Sequence, residues 1–228
     1  QMCIRDRLPG YTGAFVPAPG FSEYKAALEA SRIPVRDIYY RPREDEHGKP
    51  YFEVPYLALE TFAAELKGQD GRIIVFLGNP NNPDGTLLDK NHIRTIASML
   101  KDANSLLVID ESFIDFVGND TLQDNEYSMR SLVNEFDNII VVHSFTKFYA
   151  VPGLRIGAAF SNPLIIEQLN SFIPTWSVNT LAQSYTEAAL NDVEYVKRTK
   201  QVLHEEQLFM HNSLDTIDGI TCLLYTSD

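Results

Sequence analysis

Cysteine is almost missing from this 228-residue chain: Cys3 and Cys222 stand near opposite ends, neither beside another Cys or His at metal-ligand spacing. A disulfide framework or a zinc site therefore finds no support. Positive charge is scarce as well. Nineteen Lys and Arg against 31 Asp and Glu leave a formal charge of -12, which repels phosphate backbones and argues against nucleic acid as the main partner. No apolar run approaches the ~18 residues needed to cross a bilayer. No charged-then-apolar leader opens the sequence as given, so a cytoplasmic protein with no membrane partner is expected. There is also no internal repeat, low-complexity tract or Gly/Ser linker. One continuous domain is the simplest account, and at about 150 residues per domain the length is ample for a large core. With 44% hydrophobic and 22% charged residues, the composition is neither that of a disordered chain nor that of a fibrous one. The stretches 2–7 (MCIRDR) and 222–228 (CLLYTSD) are unlike the rest and read as adapter read-through. Residues 1–7 and 222–228 are thus expected to be non-native ends on an internal fragment.

What is present is an alternation of strand-length apolar runs with stretches of helical period, the pattern of a parallel sheet covered by helices on both faces. Residues 73–77 (IIVFL), 106–109 (LLVI), 139–142 (IIVV) and 154–160 (LRIGAAF) read as buried strands, with 34–40 a weaker candidate. Asp89 is placed to cap a helix running through Lys101, whose Ile93, Ile96, Ala97 and Leu100 share one face. Asn162 followed by Pro163 is another start signal. Helices are also expected over 21–31, 56–67 (stopped by Gly68), 178–190 and 193–217. The fold class is α/β, three layers with a mostly parallel sheet between helices.

Three segments could carry chemistry, each following an apolar strand. In 77–85 (LGNPNNPDG) two prolines stiffen a polar loop whose asparagine amides offer donors at the strand's carboxyl end, the edge where open α/β sheets bind ligands. The segment 106–111 (LLVIDE) ends in two carboxylates. Alone it resembles the magnesium-binding strand of an ATPase, but no G-x-x-x-x-G-K-[ST] loop accompanies it. A carboxylate at a buried strand end calls for a cationic partner. In 143–157 (HSFTKFYAVPGLRIG), Lys147 stands among Phe145, Phe148 and Tyr149, an apolar setting that favours the neutral, nucleophilic amine. Ser144, Thr146 and Arg155 supply hydroxyls and a guanidinium suited to a phosphate.

Taken in order, Asn-Pro loop, strand ending in Asp, Ser-x-Thr-Lys and Gly-Leu-Arg-x-Gly resemble the large domain of the aminotransferase class I/II family, the fold type I enzymes dependent on pyridoxal 5'-phosphate. The likeness covers residues 11–190. It implies that Lys147 holds the cofactor covalently and that Asp110 pairs with its pyridinium nitrogen. By the same likeness Asn82 meets the phenolate oxygen, Ser144, Thr146 and Arg155 hold the phosphate, and Phe21 lies against the ring. It further implies a partial large domain over 8–190, a helix over 191–221 leading toward a small C-terminal domain, and a homodimer.

Within the family, the threonine-phosphate decarboxylase branch is most similar and the histidinol-phosphate aminotransferase branch next. The similarity lies in 147–153 (KFYAVPG), 174–181 (PTWSVNTL) and 110–116 (DESFIDF). Phe113 stands where aminotransferases commonly carry Tyr and has no hydroxyl to donate to the phenolate oxygen. The implied substrate is a phosphorylated amino acid or amino alcohol. The fold also serves as the non-catalytic sensor half of transcription regulators, an alternative that would need a basic DNA-binding region ahead of Tyr11.

Overall fold

A computed structural model describes residues 10–66, 71–118 and 125–220. Its frame is a six-stranded sheet built from β1 (Tyr11–Ala18), β2 (Val35–Tyr39), β5 (Arg72–Gly78), β6 (Leu106–Asp110), β7 (Ile139–Ser144) and β8 (Gly157–Ser161). The spatial order is β2-β1-β5-β6-β7-β8; every pairing is parallel except β7 with β8. A separate antiparallel hairpin joins β3 (Arg41–Glu44) to β4 (Pro50–Glu53).

The helices are α1 (Ser22–Ala30), α2 (Tyr56–Glu65), α3 (Lys90–Asp102), α4 (Pro163–Phe172), α5 (Thr180–Leu190) and α6 (Val193–Leu214). Because side chains alternate along a strand, the continuous apolar run of β5 feeds two cores at once. Ile73, Val75 and Leu77 pack with Leu59 and Ala63 of α2 and with Ile93, Ile96, Ala97 and Leu100 of α3. Ile74 and Phe76 face the opposite side, with Leu28 of α1, and Ile165 and Leu169 of α4 pack against them. Each such Ile or Leu contributes about 1.5–3 kcal/mol by leaving water. The expected three layers are present.

Both predicted caps are made. The Asp89 carboxylate accepts from the backbone N–H groups of Asn91 and His92, each at 2.9 Å, and Asn162 accepts from Leu164 at 2.8 Å with Pro163 opening α4. These bonds satisfy donors that a helix start otherwise leaves bare. The expected stop at Gly68 lies outside the described residues.

Two readings need correction. The run 154–160 is not one buried strand: Pro152–Leu154 forms a 3-10 turn, Arg155 is left-handed at φ 52°, and the strand begins at Gly157. As the antiparallel edge strand, β8 is only partly covered. Its entry depends on glycine, since a Cβ at Gly157 would come within 2.5 Å of the His143 carbonyl oxygen. The second correction is β1, a central strand absent from the sequence reading. Gly13 and Pro17 interrupt its apolar run, and its strand state is set by pairing with both β2 and β5.

Candidate active site

Parallel pairing aligns the carboxyl ends of the strands. Gly78 is opposite Asp110, and Asp110 is opposite Val142. The Asn-Pro loop, the Asp110 segment and the Ser144–Lys147 segment therefore leave the sheet along one edge, and the turn after β1 delivers Phe21 and Tyr24 there too. Phe21, Tyr24, Pro80, Asn82, Asp110, Ser112, Phe113 and Lys147 line an inner recess. It shares Phe21, Asp110, Ser112 and Lys147 with a cleft of about 910 Å³, which Ser144, Thr146 and Arg155 also line. All seven residues singled out in the sequence meet at this site.

The local geometry separates neighbours that the sequence leaves equivalent. Asp110 is half-buried and faces the recess, accepting the Tyr24 hydroxyl at 2.7 Å and the Ser112 N–H at 2.8 Å. Glu111 turns away and is fully buried. It accepts from Ser128 Oγ at 2.7 Å and Asn79 Nδ2 at 3.3 Å, and burial pushes its carboxyl above the usual range despite these bonds. Among the described residues neither strand-end carboxylate is within ion-pair distance of a cation; Asp110 is held by neutral donors while attracting the Lys147 ammonium, and Arg130 acts on Glu111 from farther off. Tyr24 was not foreseen. Burial and the adjacent Asp110 hold its hydroxyl protonated well above the ordinary tyrosine range, which makes it a donor. Its ring stacks on Phe76 at 5.3 Å and meets Phe21 edge-on at 5.4 Å. The signal was its place one helical turn after Phe21.

Around Lys147 the aromatic reading also needs revision. Phe148 and Tyr149 pack in a buried cluster with Val196, whereas the amine lies over the Phe113 ring, 5.4 Å from its centroid. Lys147 Nζ donates to Ser144 Oγ at 3.1 Å, and Ser144 and Thr146 share a 2.8 Å hydroxyl–hydroxyl bond. Partial burial pushes the Lys147 ammonium below the ordinary lysine range, Asp110 pulls it back up, and Arg155 adds to the depression. A depressed lysine yields more free amine near neutrality. Arg155 is tethered through Nη1 to the Pro152 carbonyl at 2.9 Å. With Ser144, Thr146 and the Gly157 turn it lines a flank of about 230 Å³. Asn81 is a loop-building residue, buried and donating to the Pro19 carbonyl at 3.0 Å; the neighbouring Asn82 lines the recess.

A family description of aminotransferase class I and II matches residues 5–227. The chain belongs to this family. Its members are enzymes dependent on pyridoxal 5'-phosphate. The chain is 34% identical over 189 residues to the adenosylcobalamin biosynthesis bifunctional protein CobDQ of Leptospira interrogans, covering 82% of this chain and 20% of that protein. It is 32% identical over 214 residues to threonine-phosphate decarboxylase of Salmonella typhimurium, covering 91% and 52% respectively. The chain thus spans about half, or less, of the curated relatives it matches. Among solved structures, histidinol-phosphate aminotransferase from Clostridium acetobutylicum superposes with a TM-score of 0.74 at 21% identity, over 93% of this chain and 59% of that one. The shared architecture is that of the fold type I family.

The donor set fits the family's cofactor. An amine held below its ordinary range and a carboxylate face one recess, while two hydroxyls and a guanidinium line the adjoining cleft. No group of three or more His, Cys, Asp or Glu side chains suited to a metal occurs among the described residues, and no described helix is long and apolar enough to cross a membrane.

Proposed function

We propose that the chain is the cofactor-binding part of an enzyme that decarboxylates L-threonine O-3-phosphate to aminopropanol phosphate, a step of cobalamin biosynthesis. The observation carrying the cofactor assignment is that Lys147 and Asp110 open onto one recess flanked by Phe113 and Asn82. The substrate assignment rests on the likeness to the decarboxylase relative over 91% of the chain and on Phe113 in place of a hydroxyl donor. In this reading Lys147 would attach pyridoxal phosphate covalently, with Asn82 and Phe21, which line the same recess, as further residues that would hold it. Ser144, Thr146 and Arg155 hold its phosphate. Bound pyridoxal phosphate supplies an electron sink for the bond broken at the substrate's Cα. The chain's own work is to hold that sink charged and to move protons. Asp110 would stabilise a proton on the ring nitrogen, Tyr24 holds Asp110 in place, and the Lys147 ammonium would deliver the proton that replaces the departing carboxylate at Cα.

We propose residues 8–190 as a partial large domain and 191–221 as a helix leading toward a small C-terminal one. The working enzyme is proposed as a cytoplasmic homodimer, a state that sedimentation of the full-length protein would test.

The function is tested by supplying the full-length enzyme with threonine phosphate and measuring carbon dioxide, beside histidinol phosphate with 2-oxoglutarate. Carbon dioxide release without amino transfer is expected; amino transfer to 2-oxoglutarate alone would replace the decarboxylase by an aminotransferase. In the same assay Tyr24→Phe should turn over about tenfold more slowly, the effect of losing one hydrogen bond to a charged group. Wild-type turnover in that variant would remove Tyr24 from the support of Asp110.

A further inference from the structure

No motif in the sequence assigns a role to His143 or Asp115, yet the two form a buried pair beside the Ser144–Arg155 flank. His143 Nε2 donates to Asp115 Oδ2 at 2.7 Å, and the side chains are only 4% and 5% exposed. The donor is assigned to nitrogen because an ionised carboxylate only accepts. The other ring nitrogen, Nδ1, is buried with no hydrogen-bond partner. Such a group costs free energy that ordinary packing would avoid. The surroundings are otherwise apolar or neutral. The Phe145 ring lies 5.0 Å from the imidazole, Phe116 meets Phe148 at 5.2 Å, and the Tyr149 hydroxyl, also buried without a partner, feels the Asp115 charge.

The pair's place in the chain gives it meaning. The ladder between β6 and β7 ends at Asp110 opposite Val142, with Glu111 N–H donating to the Val142 carbonyl as the next backbone bond at 2.8 Å. Beyond that point the two segments separate. One carries Ser112 and Phe113 and reaches Asp115 in the 3-10 turn Ile114–Phe116. The other runs from His143 through Ser144 to Lys147. The imidazole–carboxylate bond bridges this gap. It ties the stretch that follows Asp110 to the residue immediately before Ser144, which in turn accepts from Lys147 Nζ at 3.1 Å.

We propose that His143 and Asp115 are positioning residues that fix the Lys147 amine relative to Asp110 and Phe113. His143 lines the Ser144–Arg155 flank, but neither it nor Asp115 is among the residues lining the recess or the larger cleft; the pair acts through Ser144 on one side and the 3-10 turn on the other. The proposal rests on the cofactor reading of this site. It extends that reading to two residues that the motifs do not assign to the cofactor.

Three variants of the full-length protein separate positioning from stability. His143→Leu strands a buried carboxylate and should lower the Tm. The double variant His143→Leu/Asp115→Ala removes both polar partners, and an apolar replacement of a buried pair commonly recovers stability. His143→Gln keeps an N–H for Asp115. The readouts are visible circular dichroism of the bound cofactor, which senses its orientation in the protein, and kcat with KM. The double variant is expected to regain Tm while keeping an altered visible dichroism band and a kcat lowered roughly tenfold to a hundredfold, the scale of a slightly misplaced reacting group. KM should move little, and His143→Gln should restore most of both signals. A folded double variant with the wild-type band and kcat would overturn the proposal and leave the cofactor reading standing. Absence of any visible band in the unmodified protein would overturn both.

Discussion

Lys147→Ala is expected to abolish the visible absorbance of the cofactor-loaded protein and to lower turnover by roughly four orders of magnitude, because one side chain supplies both attachment and proton transfer. The fold should survive. Most of the Lys147 side chain is open to solvent, with only its amine end partly screened, and its side-chain hydrogen bond goes to Ser144, itself already bonded to Thr146. Truncating an exposed side chain of this kind changes stability by no more than about 0.5 kcal/mol. Far-ultraviolet circular dichroism and the Tm should therefore match those of the cofactor-free wild type, while the band of the lysine-bound cofactor vanishes. An unchanged visible spectrum would refute the lysine assignment.

Asp110→Asn tests the other end of the recess. Asparagine is nearly isosteric and retains an oxygen that can accept from Ser112 N–H or the Tyr24 hydroxyl, the two donors that now hold Asp110. The cofactor should still bind through Lys147 and the cleft that Ser144, Thr146 and Arg155 line. What the substitution removes is the negative charge that keeps a proton on the ring nitrogen, so the loss should fall on kcat, by about a thousandfold. The measurement is kcat against cofactor content determined from the visible band. Near-normal turnover at full occupancy would take Asp110 out of the electron-sink role.

Much of the fold was legible because its strongest signals are local. The apolar runs of β5, β6 and β7 are long enough to be buried on both faces, and Asp89 and Asn162 announce their helices by capping chemistry that acts within three residues. β1 was not legible, since its state is decided by partners 21 and 60 residues away in sequence, as Ala14 opposite Val35 and Ala14 opposite Ile74 show. The β3–β4 hairpin is missing from the sequence reading for a similar reason: its exposed, charged first strand carries no apolar alternation. At the site, the positions of Lys147, Asp110 and Arg155 followed from motif order, whereas their surroundings did not. Sequence proximity placed Phe148 and Tyr149 beside the amine, but the chain turns under itself and buries both, leaving Phe113 of another segment there. Tyr24 and the His143–Asp115 pair are likewise visible only once distant segments are brought together, across 86 and 28 residues respectively.

The central claim is a covalent bond between one amine and pyridoxal phosphate. It is tested most directly by reducing the cofactor-loaded, full-length protein with borohydride, digesting it and mapping the modified peptide by mass. The account predicts the reduced cofactor on Lys147, in the peptide that also carries Ser144 and Thr146. Modification of any other lysine, or of none, would contradict it.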